Sequence, residues 1–247
     1  MKIVSTIEAR MTSTRLPGKV LMKAGGKPML EHLIDRLKCV PSIEEIVVAT
    51  TINPEDEPIV SLAKGLGVEC HRGSEDDVLG RVVEAAESVE ADIVVEIMGD
   101  CPLIDPEVIE YAIDVFMHND VDYLSNASVR SIRTYPNGMD TRVFHLDTLR
   151  KSASMTNTPL DREHVTLHII DNPDIFSRID LPAPRSHRWP ELEITLDESA
   201  DYELIKRIIE HFTPKKSIPS LGDIIKLLRE NEEWLKINEG VPRKGAT

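Results

Sequence analysis

The feature that most constrains the fold is an alternation of short β-rich runs with helical segments over the first half of the chain. Residues 46–49 read Ile-Val-Val-Ala and residues 93–98 read Ile-Val-Val-Glu-Ile-Met, a composition typical of strands buried on both faces. Between such runs, apolar residues recur at the three- and four-residue spacing of an amphipathic helix. The pattern predicts strands at 3–7, 46–49, 68–71, 93–98 and 121–124, and helices at 29–37, 59–66, 78–89 and 108–117.

This alternation predicts an α/β fold, with a mostly parallel sheet covered by helices on both faces. In such sheets ligands bind beyond the carboxyl ends of the strands. Functional residues are therefore expected directly after each strand.

The alternation stops at about 130–190, which we interpret as an arm inserted in a single domain, 1–247. The second half predicts a strand at 141–144, a helix at 162–170, a strand at 193–196, and helices at 200–211 and 221–230.

Charge and composition exclude several classes of protein. The chain carries 29 Lys and Arg against 43 Asp and Glu, a net charge of −14, which repels duplex nucleic acid and anionic membranes. Neither is expected as a partner. No run is apolar and long enough for a signal peptide or a membrane span, and the three cysteines lack zinc-site spacing. A cytoplasmic location is expected.

Cations, hydroxyl groups and glycines are concentrated just after the first predicted strand. They are Arg10, Arg15 and Lys19; Thr12, Ser13 and Thr14; and Gly18, Gly25 and Gly26. The segment is neither a P-loop nor a dinucleotide fingerprint. Because a triphosphate is costly to desolvate and needs several converging donors, we interpret it as a phosphate-binding loop. A basic surface loop without a ligand is the alternative.

Two aspartates, Asp100 and Asp197, each follow an apolar run and are expected at the carboxyl edge of the sheet. Mg²⁺ is bound by one or two carboxylates together with phosphate oxygens and waters, so the pair suits a metal site. The alternative for Asp100 is a helix cap or turn former, and that for Asp197 is a helix cap. Asp201 is expected to cap the helix that follows, and the alternative for it is a carboxylate that supports the metal ligands.

Six motifs in chain order resemble the cytidylyltransferases that make CMP-activated sugar acids, and the match is closest to the spore-coat-polysaccharide (SpsF-like) branch. They are Ala9-Arg10-Met11-Thr12-Ser13-Thr14-Arg15-Leu16-Pro17-Gly18-Lys19, Arg72-Gly73-Ser74-Glu75-Asp76-Asp77-Val78-Leu79, Gly99-Asp100-Cys101-Pro102, Pro136-Asn137-Gly138-Met139-Asp140, Arg162-Glu163-His164-Val165-Thr166 and Thr195-Leu196-Asp197. The resemblance implies a Rossmann-like nucleotide-diphospho-sugar transferase fold, a Mg²⁺ cofactor and a homodimer.

The resemblance also implies roles for individual residues. The catalytic residues would be Arg15, Lys19, Asp100 and Asp197, the last two also holding the metal. Nucleotide-binding residues would be Ala9, Arg10, Thr12, Ser13, Gly18, Lys19, Arg72, Asp77 and Gly99. Acceptor-binding residues would be Asn137, Gly138, Asp140, Arg162, Glu163 and His164. Glu8, where this branch usually has Gln or Pro, is expected to place a negative charge near the phosphates or base.

Several of these residues have structural alternatives. Asp77 opens a predicted helix and is suited to cap it, and Arg72 could instead pair with Asp76 or Asp77. Asn137-Gly138 could be an ordinary turn. His164 is a candidate general base, although a lone histidine on an amphipathic helix is more often structural.

The expected reaction is direct in-line displacement. An acceptor hydroxyl or phosphate group attacks the α-phosphorus of a nucleoside triphosphate, most simply CTP, and pyrophosphate leaves. The expected partners are therefore the triphosphate and a sugar or sugar-acid acceptor used for cell-surface polysaccharide. Three alternatives remain open: a sugar-1-phosphate nucleotidyltransferase using UTP or GTP, a nucleotide-sugar glycosyltransferase, and a non-catalytic nucleotide-binding subunit. No Asp-x-Asp metal motif of the glycosyltransferase kind follows the fourth strand.

Overall fold

The computed structural model describes residues 1–127, 130–215 and 218–243. The strands in these ranges are β1 (Ile3–Glu8), β2 (Lys23–Ala24), β3 (Lys27–Pro28), β4 (Glu45–Thr51), β5 (Glu69–Gly73), β6 (Ile93–Met98), β7 (Tyr123–Ser125), β8 (Arg142–His145) and β9 (Arg178–Asp180). The helices are α1 (Met29–Leu37), α2 (Glu57–Leu66), α3 (Val78–Ser88), α4 (Pro106–Met117), α5 (Leu146–Met155), α6 (Pro159–Glu163), α7 (Leu167–Asp171), α8 (Ser199–Phe212) and α9 (Leu221–Glu230).

Within the described ranges the main sheet has seven strands in the order β5-β4-β1-β6-β8-β7-β9. Strands β5, β4, β1 and β6 are parallel to one another, whereas β8 runs antiparallel to both β6 and β7. The mostly parallel sheet predicted from the alternation is therefore confirmed. The loops after β1, β4, β5 and β6 meet at one edge, because parallel strands end on the same side.

Successive side chains of β1 point to opposite faces of the sheet. Ile3 and Ile7 pack in the larger core, which is covered by α1, α2, α4, α8 and α9. Val4 faces the smaller core, which is covered by α3, α5 and α7. Helices thus lie on both faces, as the sequence predicts.

The helix predicted at 162–170 is wrong, because two short helices, α6 and α7, occupy this stretch. Val165 and Thr166 lie between them and are buried. The Thr166 hydroxyl lies 3.4 Å from the Tyr123 hydroxyl of β7. Burying these two β-branched residues against the sheet interrupts the helical path.

The strand predicted at 193–196 is also wrong. Its backbone donates to loops rather than to a neighbouring strand: Ile194 N–H bonds Asn137 at 2.9 Å and Leu196 N–H bonds Asp100 at 2.8 Å. A single bridge, between Asn137 and Glu193, is all that the described residues form here. The segment is largely buried and bonds the loops at Asn137 and Asp100 instead of joining the sheet.

Residues 130–190 contribute β8 and β9 to the main sheet and also carry α5, α6 and α7. Their interpretation as an arm, and that of the chain as one domain, stay predictions. Among the helices of the described ranges, none combines the length and apolarity needed to cross a membrane.

Candidate active site

The ends of β1 and β6 approach each other unusually closely at Gly99. A Cβ atom at this position would lie 2.5 Å from the carbonyl oxygen of Glu8, which no larger residue could tolerate. The Gly99 N–H group donates to that same oxygen at 3.0 Å. This contact places Asp100 beside the start of the loop that follows β1.

The carboxylates of Asp100 and Asp197 converge on one ammonium group. The Nζ atom of Lys19 lies 3.1 Å from Oδ2 of Asp100 and 3.0 Å from Oδ1 of Asp197. The Arg15 guanidinium group lies 2.7 Å from the same Asp197 oxygen. The four residues with expected catalytic roles therefore lie together, although they are up to 182 positions apart in the sequence.

The electrostatics keep Lys19 charged in this cluster. Burial disfavours its ammonium form, but the nearby charges of Asp100 and Asp197 outweigh burial and raise the pKa of Lys19 above its usual value. The cluster thus pairs two cations, Lys19 and Arg15, with two carboxylates in a partly buried setting.

Gly138 holds the segment that presents Asp197. Its φ of +102° and the 2.7 Å between a hypothetical Cβ and the Ile194 carbonyl group mean that any other residue would be strained and would displace the Ile194 backbone. The Leu196 N–H bond to the carbonyl oxygen of Asp100 then sets the two aspartates side by side. Gly138 thus has a structural role next to the metal candidates.

Neither aspartate caps a helix, so that alternative is wrong for both, whereas Asp100 does lie in the turn that follows β6, as the other alternative expects. Helix α4 is capped by Asp105, whose side chain accepts from the Glu107 N–H group. Helix α8 begins with a capping box formed by Glu198 and Asp201, which confirms the capping role expected of Asp201.

Two carboxylates that sequence reasoning missed hold the loop in place. Asp56 is fully buried and accepts from the Met11 N–H group at 2.7 Å, as well as from Thr50 and Thr51 at the end of β4. Glu75 accepts from Thr12 at 2.6 Å and from Arg10 at 3.1 Å. Both lie in acidic segments that show no helical or strand periodicity. Only their position shortly after β4 and β5 could have indicated them as site residues.

The middle of the loop keeps backbone donors available. In the part of the chain that the structure describes, the N–H groups of residues 12–15 have no hydrogen-bond partner. Gly18 instead donates to the Met11 carbonyl oxygen at 2.9 Å and closes the loop. A row of free N–H groups beside Arg15 and Lys19 suits an anion. Ser13 lies within this row, whereas Ala9 is buried in the core.

Arg72, Asp77 and Arg162 contact protein groups rather than an open site. Arg72 pairs with Glu57 at 2.8 Å and donates to two backbone carbonyl groups, so its suggested pairing with Asp76 or Asp77 is not observed. Asp77 caps α3 through the Gly80 N–H group, as expected, and lies 3.4 Å from Arg162. These contacts place Arg162 against α3, on the second face of the sheet.

The remaining acceptor candidates lie in two places, before β8 and at the end of α6. Asp140 forms a two-bond pair with Arg133, at 2.6 and 3.0 Å. Asn137 donates to Glu193 at 2.8 Å. Glu163 and His164 are exposed at the end of α6.

A buried carboxyl pair lies between β1, β6 and α3. Glu96 is ion-paired with Arg142 at 3.1 Å, whereas the Oε1 atom of Glu8 is buried without a hydrogen-bond partner among the described residues. Burial, followed by the nearby Glu96 charge, raises the pKa of Glu8 well above its usual value. Both causes favour the neutral acid over the ionised form, which opposes the negative charge expected at Glu8.

The chemistry of the donor set fits a divalent cation. Asp100 and Asp197 already share one cation, and two carboxylates with phosphate oxygens and waters complete an octahedral Mg²⁺ shell. In the described ranges, no group of three or more His, Cys, Asp or Glu side chains is placed to hold a metal. Asp100 and Asp197 are the residues that could do so together with a nucleotide.

Comparison with known proteins decides the family. The model of a family described as cytidylyltransferase matches residues 4–232. The chain belongs to the cytidylyltransferase family. It is 31% identical over 238 residues to the spore coat polysaccharide biosynthesis protein SpsF of Bacillus subtilis, covering 94% of this chain and 95% of that protein.

Two proteins named as cytidylyltransferases also resemble it. The 3-deoxy-manno-octulosonate cytidylyltransferase of Geobacter metallireducens is 32% identical over 197 residues, which cover 78% of this chain and 67% of that protein. A solved cytidylyltransferase structure from Leptospira borgpetersenii superposes with a TM-score of 0.90 at 33% identity, covering 98% of this chain and 100% of the other. The Rossmann-like fold implied by the motifs is thereby confirmed.

Proposed function

We propose that this cytidylyltransferase transfers CMP from CTP to a sugar or sugar acid that is used for cell-surface polysaccharide, and releases pyrophosphate. The observation that carries the proposal is the convergence of Lys19, Arg15, Asp100 and Asp197 beside the loop after β1. Family membership supports the nucleotide, and the names of the SpsF and 3-deoxy-manno-octulosonate relatives support the acceptor class.

The loop supplies the binding groups for the triphosphate. The free N–H groups of residues 12–15 donate to phosphate oxygens, and Arg15 and Lys19 exchange their carboxylate partners for phosphate. Their positive charge then lies where charge develops as pyrophosphate leaves. The acceptor hydroxyl attacks the α-phosphorus from the opposite side, in line with the bond that breaks.

The exchange of partners leaves Asp100 and Asp197 free to hold a divalent cation. Asp100 and Asp197 would hold Mg²⁺, which would supply Lewis-acid chemistry and neutralise negative charge on the triphosphate. The chain's own contribution is positioning, since Gly99 and Gly138 fix the backbones that present the two carboxylates. No covalent intermediate with a protein side chain is needed.

The test is a pyrophosphate-release assay with Mg²⁺, each of CTP, UTP, GTP and ATP, and an acceptor panel that includes 3-deoxy-manno-octulosonate and neutral sugars. Release with CTP and at least one acceptor supports the proposal. Release only with UTP or GTP and a sugar 1-phosphate would assign the chain to that alternative reaction. Nucleotide-induced thermal stabilisation without release from any combination would favour a non-catalytic binding subunit.

The homodimer and the cytoplasmic location stay predictions. Size-exclusion chromatography with light scattering tests the first, and cell fractionation tests the second. A monomeric mass at micromolar concentration would contradict the dimer.

A further inference from the structure

Asp201 is a fully buried carboxylate whose hydrogen bonds exceed those of a simple helix cap. Its Oδ2 atom accepts from the backbone N–H groups of Asp197, at 3.2 Å, and Glu198, at 2.9 Å. The bond to Glu198 belongs to the capping box of α8. The bond to Asp197 lies outside the capping box and reaches the residue that presents a carboxylate to the active site.

The remaining hydrogen bonds to Asp201 come from Asn238 and Arg243, more than 35 residues further along the chain. Arg243 donates to both carboxylate oxygens, at 2.9 and 2.8 Å, and Asn238 donates to Oδ1 at 2.8 Å. Burial opposes the ionised form, but the bonds from Arg243 and Asn238 outweigh it and lower the pKa of Asp201. A buried carboxylate without such a partner would be strongly unfavourable, so the orientation of Asp201 depends on Arg243.

The same distal segment also holds the neighbouring backbone. Asn238 donates to the Glu193 carbonyl oxygen at 3.0 Å, and Arg243 lies 3.5 Å from the Glu193 carboxylate. Glu193 in turn accepts from Asn137, in the motif next to Gly138. Residues 193–198 are therefore held from one side by the 137–138 turn and from the other by Asn238 and Arg243.

We propose that Arg243, acting through Asp201, is a positioning residue that orients Asp197 toward Asp100 and Lys19. Two parallel donor bonds from a planar guanidinium group fix a carboxylate in direction as well as in distance. Because Asp201 is fixed, its hydrogen bond holds the Asp197 N–H group in one orientation. The Asp197 side chain then points toward Arg15 and Lys19. The metal-dependent part of the test rests on the proposed function, whereas the exchange part does not.

The test compares Arg243→Ala and Arg243→Lys with Lys236→Ala, which removes an exposed positive charge from the same segment. Hydrogen exchange is measured at the amides of Asp197 and Glu198, with amides of β4 as the internal reference. Titration calorimetry with CTP at a series of Mg²⁺ concentrations gives the Mg²⁺ concentration at which the Mg²⁺-dependent gain in CTP affinity is half complete. Residues that support a metal ligand typically change metal affinity by about 10–100-fold.

In Arg243→Ala we expect about 10-fold faster exchange at the two amides relative to β4, and a half-saturating Mg²⁺ concentration raised by about 10-fold. Arg243→Lys should fall between, since it keeps the charge but loses the paired geometry, and Lys236→Ala should match the unsubstituted protein. Unchanged exchange at both amides would overturn the proposal. So would a lower melting temperature with an unchanged Mg²⁺ requirement, because that result describes a purely structural contact.

If the unsubstituted protein binds no CTP at any Mg²⁺ concentration, the proposed function fails. The exchange measurement then decides the positioning role of Arg243 by itself.

Discussion

Asp100 and Asp197 are joined through one cation, since both carboxylates lie within 3.1 Å of the Lys19 ammonium group. The two aspartates come from loops that follow different parts of the fold, and they meet because the Leu196 N–H group bonds the Asp100 carbonyl oxygen. Because both carboxylates already contact the Lys19 ammonium group, their placement also suits a shared divalent cation.

The first prediction concerns this pair. Asp100→Asn and Asp197→Asn should each remain folded but lower Mg²⁺-dependent pyrophosphate release by more than the roughly 10–100-fold typical of residues that only support a ligand. Asp114→Asn, at an exposed position of α4, is the matched control and should be unaffected. Unsubstituted rates in either active-site variant would remove that aspartate from the metal site.

The second prediction concerns Arg15. Arg15→Ala should weaken CTP binding by about 10–100-fold, because a charge-assisted hydrogen bond contributes about 1.5–3 kcal/mol. The control is Arg150→Ala, which loses only exposed ion pairs with Glu87 and Asp147. Calorimetric affinities that are equal for both variants would contradict a phosphate-binding role.

The third prediction concerns Gly138, where an added Cβ meets the Ile194 carbonyl group. Gly138→Ala should destabilise the protein by about 1–3 kcal/mol through overpacking, in addition to the strain of a positive φ, and should also impair CTP binding by displacing Asp197. Gly67→Ala is the control, since Gly67 has a positive φ of +67° but open space around it. Urea unfolding with equal losses in both variants would show that strain alone acts at Gly138.

The fourth prediction is a pH dependence at Glu8. Its pKa in the folded protein is raised above the usual 4.5, so the folded state holds a proton that the unfolded chain loses as the pH rises past 4.5. The stabilising contribution is complete below that value and decreases toward the folded pKa, by up to about 1.4 kcal/mol per pH unit.

Glu8→Gln cannot ionise and should therefore lose less stability than the unsubstituted protein between about pH 5 and about pH 8. The control is Glu55→Gln, at an exposed position. Urea unfolding at both pH values measures the difference. A free energy of unfolding that changes equally with pH in Glu8→Gln and in the unsubstituted protein would contradict a neutral Glu8.

The parallel strands β1, β4, β5 and β6 and the helices α1 to α4, α8 and α9 were predictable because their signals are local, whereas β2, β3, β9 and α5 were not predicted. Buried parallel strands such as β4 and β6 are continuous apolar runs, and α1, α8 and α9 show helical spacing over their whole length. The stretch at 193–196 has the composition of a strand, but its hydrogen-bond partners are loops. Nothing in its own sequence shows which groups lie beside it.

The site was predictable where phosphate-binding or metal-binding residue types come directly after a strand. That rule and the family motifs together select Lys19, Asp100 and Asp197, which the structure brings together. Asp56 and Arg243 could not be found in this way, because their importance comes from buried partners distant in sequence. The pKa of Glu8 depends on its burial by α3 and β6, and the sequence of β1 alone does not show that burial.

The most direct test of a metal-assisted site at Asp100 and Asp197 is a calorimetric titration of the unsubstituted protein and of Asp100→Asn with CTP, with and without Mg²⁺. We expect CTP to bind the unsubstituted protein more tightly when Mg²⁺ is present, and this gain to be lost in Asp100→Asn. CTP affinity that is indifferent both to Mg²⁺ and to the Asp100→Asn substitution would contradict a metal-assisted cytidylyl transfer site at these residues.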